Sequence, residues 1–188
     1  MFMESPISQR REGQIDMAPR ITGFNGKTIG LLHNGKHGGE EILLGIKVGL
    51  KERHAGASFD YRRKPHAASP ASFLGDIVAD WDAAVVAVGD CGSCSSWSVF
   101  DSIELEKSGI PVVLVVTRPF VAMNQIEAKR LLHAKLPMLV VDHPLAHLPA
   151  DELMAKGARL VEDIETLLTG GQATIANAPA RPQLVAAE

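Results

Sequence analysis

Five short β-rich runs alternate along this chain with amphipathic segments, and two of the runs, residues 83–88 and 112–116, are apolar at nearly every position. A strand with one solvated face alternates apolar and polar residues, whereas a strand apolar throughout needs cover on both faces. Helices packed on both sides of a parallel sheet supply that cover, and alternation of strand with helix is how such a sheet is built. The chain therefore reads as an α/β protein, a doubly wound five-stranded parallel sheet with helices on both faces.

The strands fall at residues 28–33, 59–63, 83–88, 112–117 and 138–142. The helices fall at 40–53, 70–79, 95–107, 123–134 and 150–168, with apolar residues three and four apart as in Ile42, Ile46 and Leu50. Ser69 ahead of Pro70 reads as an N-cap followed by proline at the first helical position, and Gly109 as a helix stop. Tyr61, Arg62 and Arg63 make the second strand polar, which suits an edge. Right-handed crossovers then give the flavodoxin-like order 2-1-3-4-5.

A length of 188 residues encloses one hydrophobic core, and 46% apolar with 22% charged residues excludes overall disorder. Residues 1–25 lack a hydrophobic period and are expected to be a flexible extension that adds little to the core; residues 26–169 form the single domain, and 170–188, rich in Ala and Pro, a flexible tail. Net charge is −3, and the basic residues are scattered apart from Arg62-Arg63-Lys64, so no nucleic-acid footprint stands out. The longest apolar runs are strand-length, far short of the roughly 20 residues that span a bilayer. The amino end has no apolar run of a secretory signal, and a cytoplasmic location is expected.

In a doubly wound sheet, ligands bind beyond the carboxyl ends of the strands where the winding reverses, here between strands one and three. Residues 33–39, 89–96, 117–120 and 142–145 face that crevice. The second of these loops holds the chain's two cysteines, Cys91 and Cys94, at the start of a helix. Free N–H groups and the helix dipole favour a thiolate there, and C-x-x-C thiols fall from about 8.5 to roughly 3.5–7.5 in pKa. Cys91 is then the nucleophile, and Cys94, one turn on, the resolving thiol that forms a disulfide as product leaves. Gly92 permits tight geometry, Ser93, Ser95 and Ser96 offer hydroxyls and caps to an anion, and Asp90 either orients the thiol or raises its pKa. The competing reading makes both cysteines small buried hydrophobes.

His143 is a candidate general acid or base with Asp142 as its orienter, while His147 is expected at the surface. Asn34 and Lys36, ahead of Gly38 and Gly39, are candidates to present N–H groups and an ammonium to a substrate carboxylate or phosphate. Thr117 and Arg118 end the fourth strand, where arginine can clamp a carboxylate or form a solvated salt bridge. Trp97 is expected to pack in the core. Neither G-x-G-x-x-G nor G-x-x-x-x-G-K-[ST] is present in these loops, and no second C-x-x-C or H-x₃-H accompanies the cysteines, so no cofactor and no metal is expected.

The motif Cys91-Gly92-Ser93-Cys94 resembles that of the UGSC family, named for selenocysteine-Gly-Ser-Cys, some of whose members carry cysteine at the selenocysteine position. The likeness continues through Gly89-Asp90, Ser95-Ser96-Trp97-Ser98, Glu104-Leu105-Glu106 before Gly109-Ile110-Pro111, and His143-Pro144-Leu145, over roughly residues 27–168. This resemblance implies a selenol- or thiol-dependent redox protein, distantly similar in motif to the selenoprotein component of glycine, sarcosine and betaine reductases. It also implies that Cys91 is the attacking atom and Cys94 its partner, with sulfur in place of selenium.

Three functions follow as expectations. The first is a thiol-dependent oxidoreductase acting on a small molecule, with a thiol or protein electron donor. The second is a cofactor-independent lyase, isomerase or hydrolase using Cys91 covalently and His143 for proton transfer. The third is a non-catalytic subunit of a larger reductase complex. Nucleic acid and membrane are not expected as partners, and homo- or hetero-oligomerisation is left open.

Overall fold

The structure is a computed structural model that describes residues 13–77 and 79–171. Its sheet consists of β1 (Thr28–His33), β2 (Ser58–Arg63), β3 (Ala83–Gly89), β4 (Val112–Thr117) and β5 (Met138–Val141). All neighbours are parallel and the order is β2-β1-β3-β4-β5, as the polar second strand and right-handed crossovers required. The helices are α1 (Gly39–Arg53), α2 (Leu74–Ile77), α3 (Gly92–Lys107), α4 (Val121–Arg130), α5 (Ala150–Ala158) and α6 (Val161–Leu168). Among the described residues, no helix is long and apolar enough to cross a membrane.

Every residue of β3 and β4 is buried, because helices cover both faces. Alternate strand residues such as Leu31, Val85, Val113 and Leu139 share a core with Ile42 and Ile46 of α1, Leu153 of α5 and Ile164 of α6. Their neighbours Leu32, Val86, Leu114 and Val116 share the opposite core with Val99 and Ile103 of α3 and Ala128 of α4. From β1 the chain winds outward to β2; from β3 it winds the other way to β4 and β5. The reversal therefore lies between β1 and β3. At its very end β3 slips in register against β4, between Ala87 and Gly89, which re-aims the strand just before the cysteine loop.

Four helices depart from expectation, the first being α4, which runs Val121–Arg130 where 123–134 was expected and stops ahead of Leu132, whose φ of 66° is not helical. The segment 70–79 yields only the single turn of α2, because the Ala71 N–H donates to Asp101 Oδ1 on α3 at 2.9 Å, so it serves the tertiary fold rather than a helix start. The Ser69 hydroxyl donates back to the His66 carbonyl at 3.2 Å instead of accepting an N–H of the following segment. The segment 150–168 splits into α5 and α6. Gly45 and Gly157 let α1 and α5 touch backbone to backbone, since a Cβ on Gly157 would lie 2.1 Å from the Ile42 carbonyl oxygen and one on Gly45 2.0 Å from that of Met154. The chain must bend after that contact to return Val161, Ile164 and Leu168 to the core. α3 starts at Gly92, three residues before the expected 95, for a reason found in its cap.

The expectation that residues before 26 add little to the core is corrected over the stretch from Ala18 to Phe24. Ala18, Ile21 and Phe24 are buried, Phe24 stacks on His54 with ring centres 4.4 Å apart, and the Ile21 N–H donates to the Leu168 carbonyl. Weak periodicity hid this because the segment packs as an extended strap, with no helical or strand repeat to read. Residues 1–12 of the expected extension, and 172–188 of the expected tail, lie outside the described residues.

Candidate active site

Leaving β3 at the winding reversal, the chain passes through Asp90 and Cys91 into α3. Cys91 has extended backbone, with φ −160° and ψ 173°, and its sulfur accepts the Cys94 N–H at 3.3 Å. A cysteine sulfur thus performs the N-cap task usually given to a hydroxyl or carboxylate, which is why the helix begins at Gly92 rather than at the serines. The Cα atoms of Cys91 and Cys94 are 5.4 Å apart and the two sulfurs are joined as a disulfide. Cys94 is fully buried and its sulfur also accepts the Asp90 N–H at 3.3 Å. Cys91 is half-buried, so the reading of both cysteines as sealed core fillers fails for it.

Asp90, only 7% exposed, gathers groups from the other three crevice loops. Its Oδ1 accepts the Thr117 hydroxyl at 2.8 Å and meets His143 Nδ1 at 2.8 Å, and its Oδ2 lies 3.9 Å from the Lys36 ammonium. A carboxylate only accepts, so the shared proton resides on His143 Nδ1 and Nε2 is the nitrogen left to exchange one. The expected orienter, Asp142, does not hold His143. Successive residues at a strand end point to opposite sides, and Asp142 turns to Arg118, accepting Nη2 at 2.9 Å and Nε at 3.3 Å. The Arg118 guanidinium holds the Asp142 carboxyl below the usual range.

The remaining expected residues divide into those turned inward and those near the surface. Asn34 is fully buried; its Nδ2 donates to the Val88 carbonyl at 2.7 Å and Ser98 Oγ at 2.8 Å, and its Oδ1 accepts the Lys36 N–H at 3.0 Å. It fastens the β1 loop to β3 and α3. Ser95 is buried, whereas Gly92 and Ser93 are exposed and Ser96 donates to the Gly92 carbonyl at 3.4 Å. Trp97 does not fill the core: it is half-buried on α3 and meets Phe100 edge-on at 5.5 Å. His147 is exposed.

Sequence reading missed two groups that shape this end of the sheet. Buried His33 bridges the Tyr61 hydroxyl at 2.8 Å and the Lys36 carbonyl at 2.9 Å, so it fixes the loop that carries Lys36; burial pushes its pKa down. Burial likewise pushes Tyr61 up to about 12. Asn124 on α4 is the second: its Oδ1 and the Ser95 hydroxyl are both buried without a hydrogen-bond partner among the described residues, and both would crowd a Cβ on Gly89. No spacing in the sequence connects α4 to the cysteine loop, so neither contact had a signal.

Fold and site together define a doubly wound α/β protein with a C-x-x-C disulfide pair capping the helix at its winding reversal. The sequence profile of the UGSC family matches residues 3–170, and the chain belongs to that family. No curated protein matches it. Among solved structures, it is similar to the lactose-specific IIB component domain of the phosphoenolpyruvate:carbohydrate phosphotransferase system from Streptococcus pneumoniae, at 8% identity and a TM-score of 0.32, over 74% of this chain and 95% of that one. It is also similar to a fungal multi-domain GH3 β-N-acetylglucosaminidase with a GCN5-related glucosamine N-acetyltransferase region, at 12% identity and a TM-score of 0.45, over 82% of this chain and 16% of that one.

Proposed function

We propose that the protein is a thiol-dependent reductase of a small molecule, with Cys91 as nucleophile and Cys94 as resolving thiol. The observation that carries this reading is the asymmetry of the pair: two sulfurs within bonding reach at a helix start, one half-exposed and one sealed behind it. Membership of the UGSC family is consistent with a redox-related role.

For a substrate R–S–S–R′ the chemistry balances as follows. The Cys91 thiolate attacks one substrate sulfur, the R–S to S–R′ bond breaks, and R′S⁻ leaves, taking up through His143 the proton that Cys91 gave. Cys94 then attacks the Cys91 sulfur of the mixed disulfide, the Cys91–Cys94 bond forms, and RS⁻ leaves with the Cys94 proton. Two electrons pass from protein to substrate, and an external dithiol returns them. Asp90 keeps the His143 ring oriented with Nε2 available for the transfer.

The test follows the alkylation of Cys91 by iodoacetamide against pH in the reduced Cys94→Ser variant. Titration well below the unperturbed thiol value of about 8.5 is expected; titration at or above it overturns the thiolate mechanism. The second reading, covalent catalysis without redox, is favoured by the Asp90–His143 pair. Mild oxidation separates the two: ready loss of two hydrogens from the reduced protein, seen by mass spectrometry and abolished in Cys91→Ser, supports the reductase, and persistence of both thiols supports the alternative.

A further inference from the structure

Beside the thiol site, the carboxyl end of β5 opens into a cavity of about 220 Å³ that the proposed chemistry leaves unused. Its charged lining comes from separate parts of the chain. Arg118 follows β4, Asp142 follows β5, Lys156 lies in the last turn of α5 and Arg159 caps that helix; Val140 and Leu160 add apolar wall. Among the described residues, three cations against one carboxylate leave the lining at a net charge of two positive units. The Asp142 carboxyl is held down first by its hydrogen bond to Arg118, and Lys156 and Arg159 act on it in the same direction, so their fields converge on the same spot.

Two structural duties explain part of this cluster and not the whole. Lys156 and Arg159 at the carboxyl end of α5 complement the helix dipole, and Arg118 pairs with Asp142. Neither duty requires the helix cations and the strand-end guanidinium to surround one concavity. Guanidinium forks and an ammonium arriving from several directions suit a tetrahedral dianion better than a planar carboxylate, which one fork satisfies.

We propose that this cavity binds the phosphate group of a small molecule, held by Arg118, Lys156 and Arg159. Asp142 acts as the competing internal anion that the ligand partly displaces from Arg118. The cavity belongs to β5 and the cysteines to β3, two strand spacings or about 10 Å away, so a phosphorylated compound held here by its phosphate is within reach of the thiol site. That last step rests on the thiol reading; the phosphate site does not.

Binding is therefore measured on the oxidation-proof Cys91→Ser/Cys94→Ser protein, by calorimetry with inorganic phosphate, phenyl phosphate and benzoate at constant ionic strength. Saturable binding of the two phosphates, with dissociation constants on the order of millimolar, is expected, with benzoate at least about tenfold weaker. Lys156→Gln/Arg159→Gln should weaken phosphate about tenfold or more, and Asp142→Asn should tighten it by removing the competing charge. Absence of saturation, equal binding of benzoate, or unchanged affinity in the double glutamine variant overturns the site. Because this protein has no thiols, such a failure leaves the Cys91 titration standing, and a failed titration leaves the phosphate site standing.

Discussion

Residues from all four crevice loops converge on Asp90, and the consequence for chemistry falls on His143. With Nδ1 donating to Asp90, the ring can deliver a proton only from Nε2, so its contribution should depend on how much help the leaving group needs. His143→Ala should slow reduction of an aliphatic disulfide at neutral pH by about 100-fold, but slow an aromatic disulfide, whose thiolate leaves unaided, far less. Stopped-flow thiol release with the two substrate types measures the difference; equal slowing of both would assign His143 a purely structural role. Between the loop that follows β2 and helix α3, Lys64 and Asp101 form an ion pair at 2.6 Å with both side chains fully buried, and Asp101 also receives the Ala71 N–H. Removing one partner strands the other's charge. Lys64→Met should therefore cost about 3–5 kcal/mol in urea unfolding, and adding Asp101→Asn, which keeps an acceptor for Ala71, should restore most of it. The cysteine motif and its place on α3 were legible because motif, strand and helix are contiguous in sequence. The Asp90–His143 contact spans 53 positions and was not, and Asp142 drew attention only because it is adjacent, although adjacency at a strand end sends side chains apart.

Elements whose identity comes from burial alone were read well, since the central strands have no face that tolerates a polar residue. The strand β2 was placed at the sheet edge for the complementary reason, its run of Tyr61, Arg62 and Arg63. Helix limits were read less well because tertiary partners decide them: Asp101 takes the Ala71 N–H from the expected second helix, a sulfur cap starts α3 early, and the α1–α5 contact forces the break before α6. That contact makes an inverted prediction. Glycine to alanine within a helix normally stabilises by about 1 kcal/mol. At Gly157 the new methyl would meet the Ile42 carbonyl, and at Gly45 that of Met154, so either alanine variant should instead lose about 1–3 kcal/mol as the helices separate. Thermal unfolding checks this, with a Tm lowered by several degrees expected; an unchanged or raised Tm would show that the two helices can part freely.

Across the whole molecule, the strap that precedes β1 is tied to the far side of the sheet by one carboxylate. Glu106, 2% exposed, accepts the Ala18 N–H at 2.7 Å, the Arg20 guanidinium at 2.9 Å and the Val112 N–H at 2.8 Å, with buried His133 Nε2 3.8 Å away. The charge thereby joins the end of α3, the start of β4 and the amino-terminal strap, which in turn buries Ile21 and Phe24 against α1 and α6. Burial works to raise the Glu106 pKa, but His133, the two N–H groups and Arg20 outweigh it and hold the carboxyl below its usual range. A depressed carboxylate contributes its stability in full above its unfolded pKa, about 4.3, and loses it as pH falls through the lower folded value. The protein should accordingly lose stability below about pH 4, and Glu106→Gln should be less stable at neutral pH by about 2–3 kcal/mol while showing a shallower acid dependence. Hydrogen exchange at the Ala18 and Ile21 amides separates release of the strap from general loosening. Faster exchange confined to those amides in Glu106→Gln at pH 7, matched by the wild type on acidification, is the expected pattern; uniform acceleration across the sheet would place the carboxylate's role in the core itself.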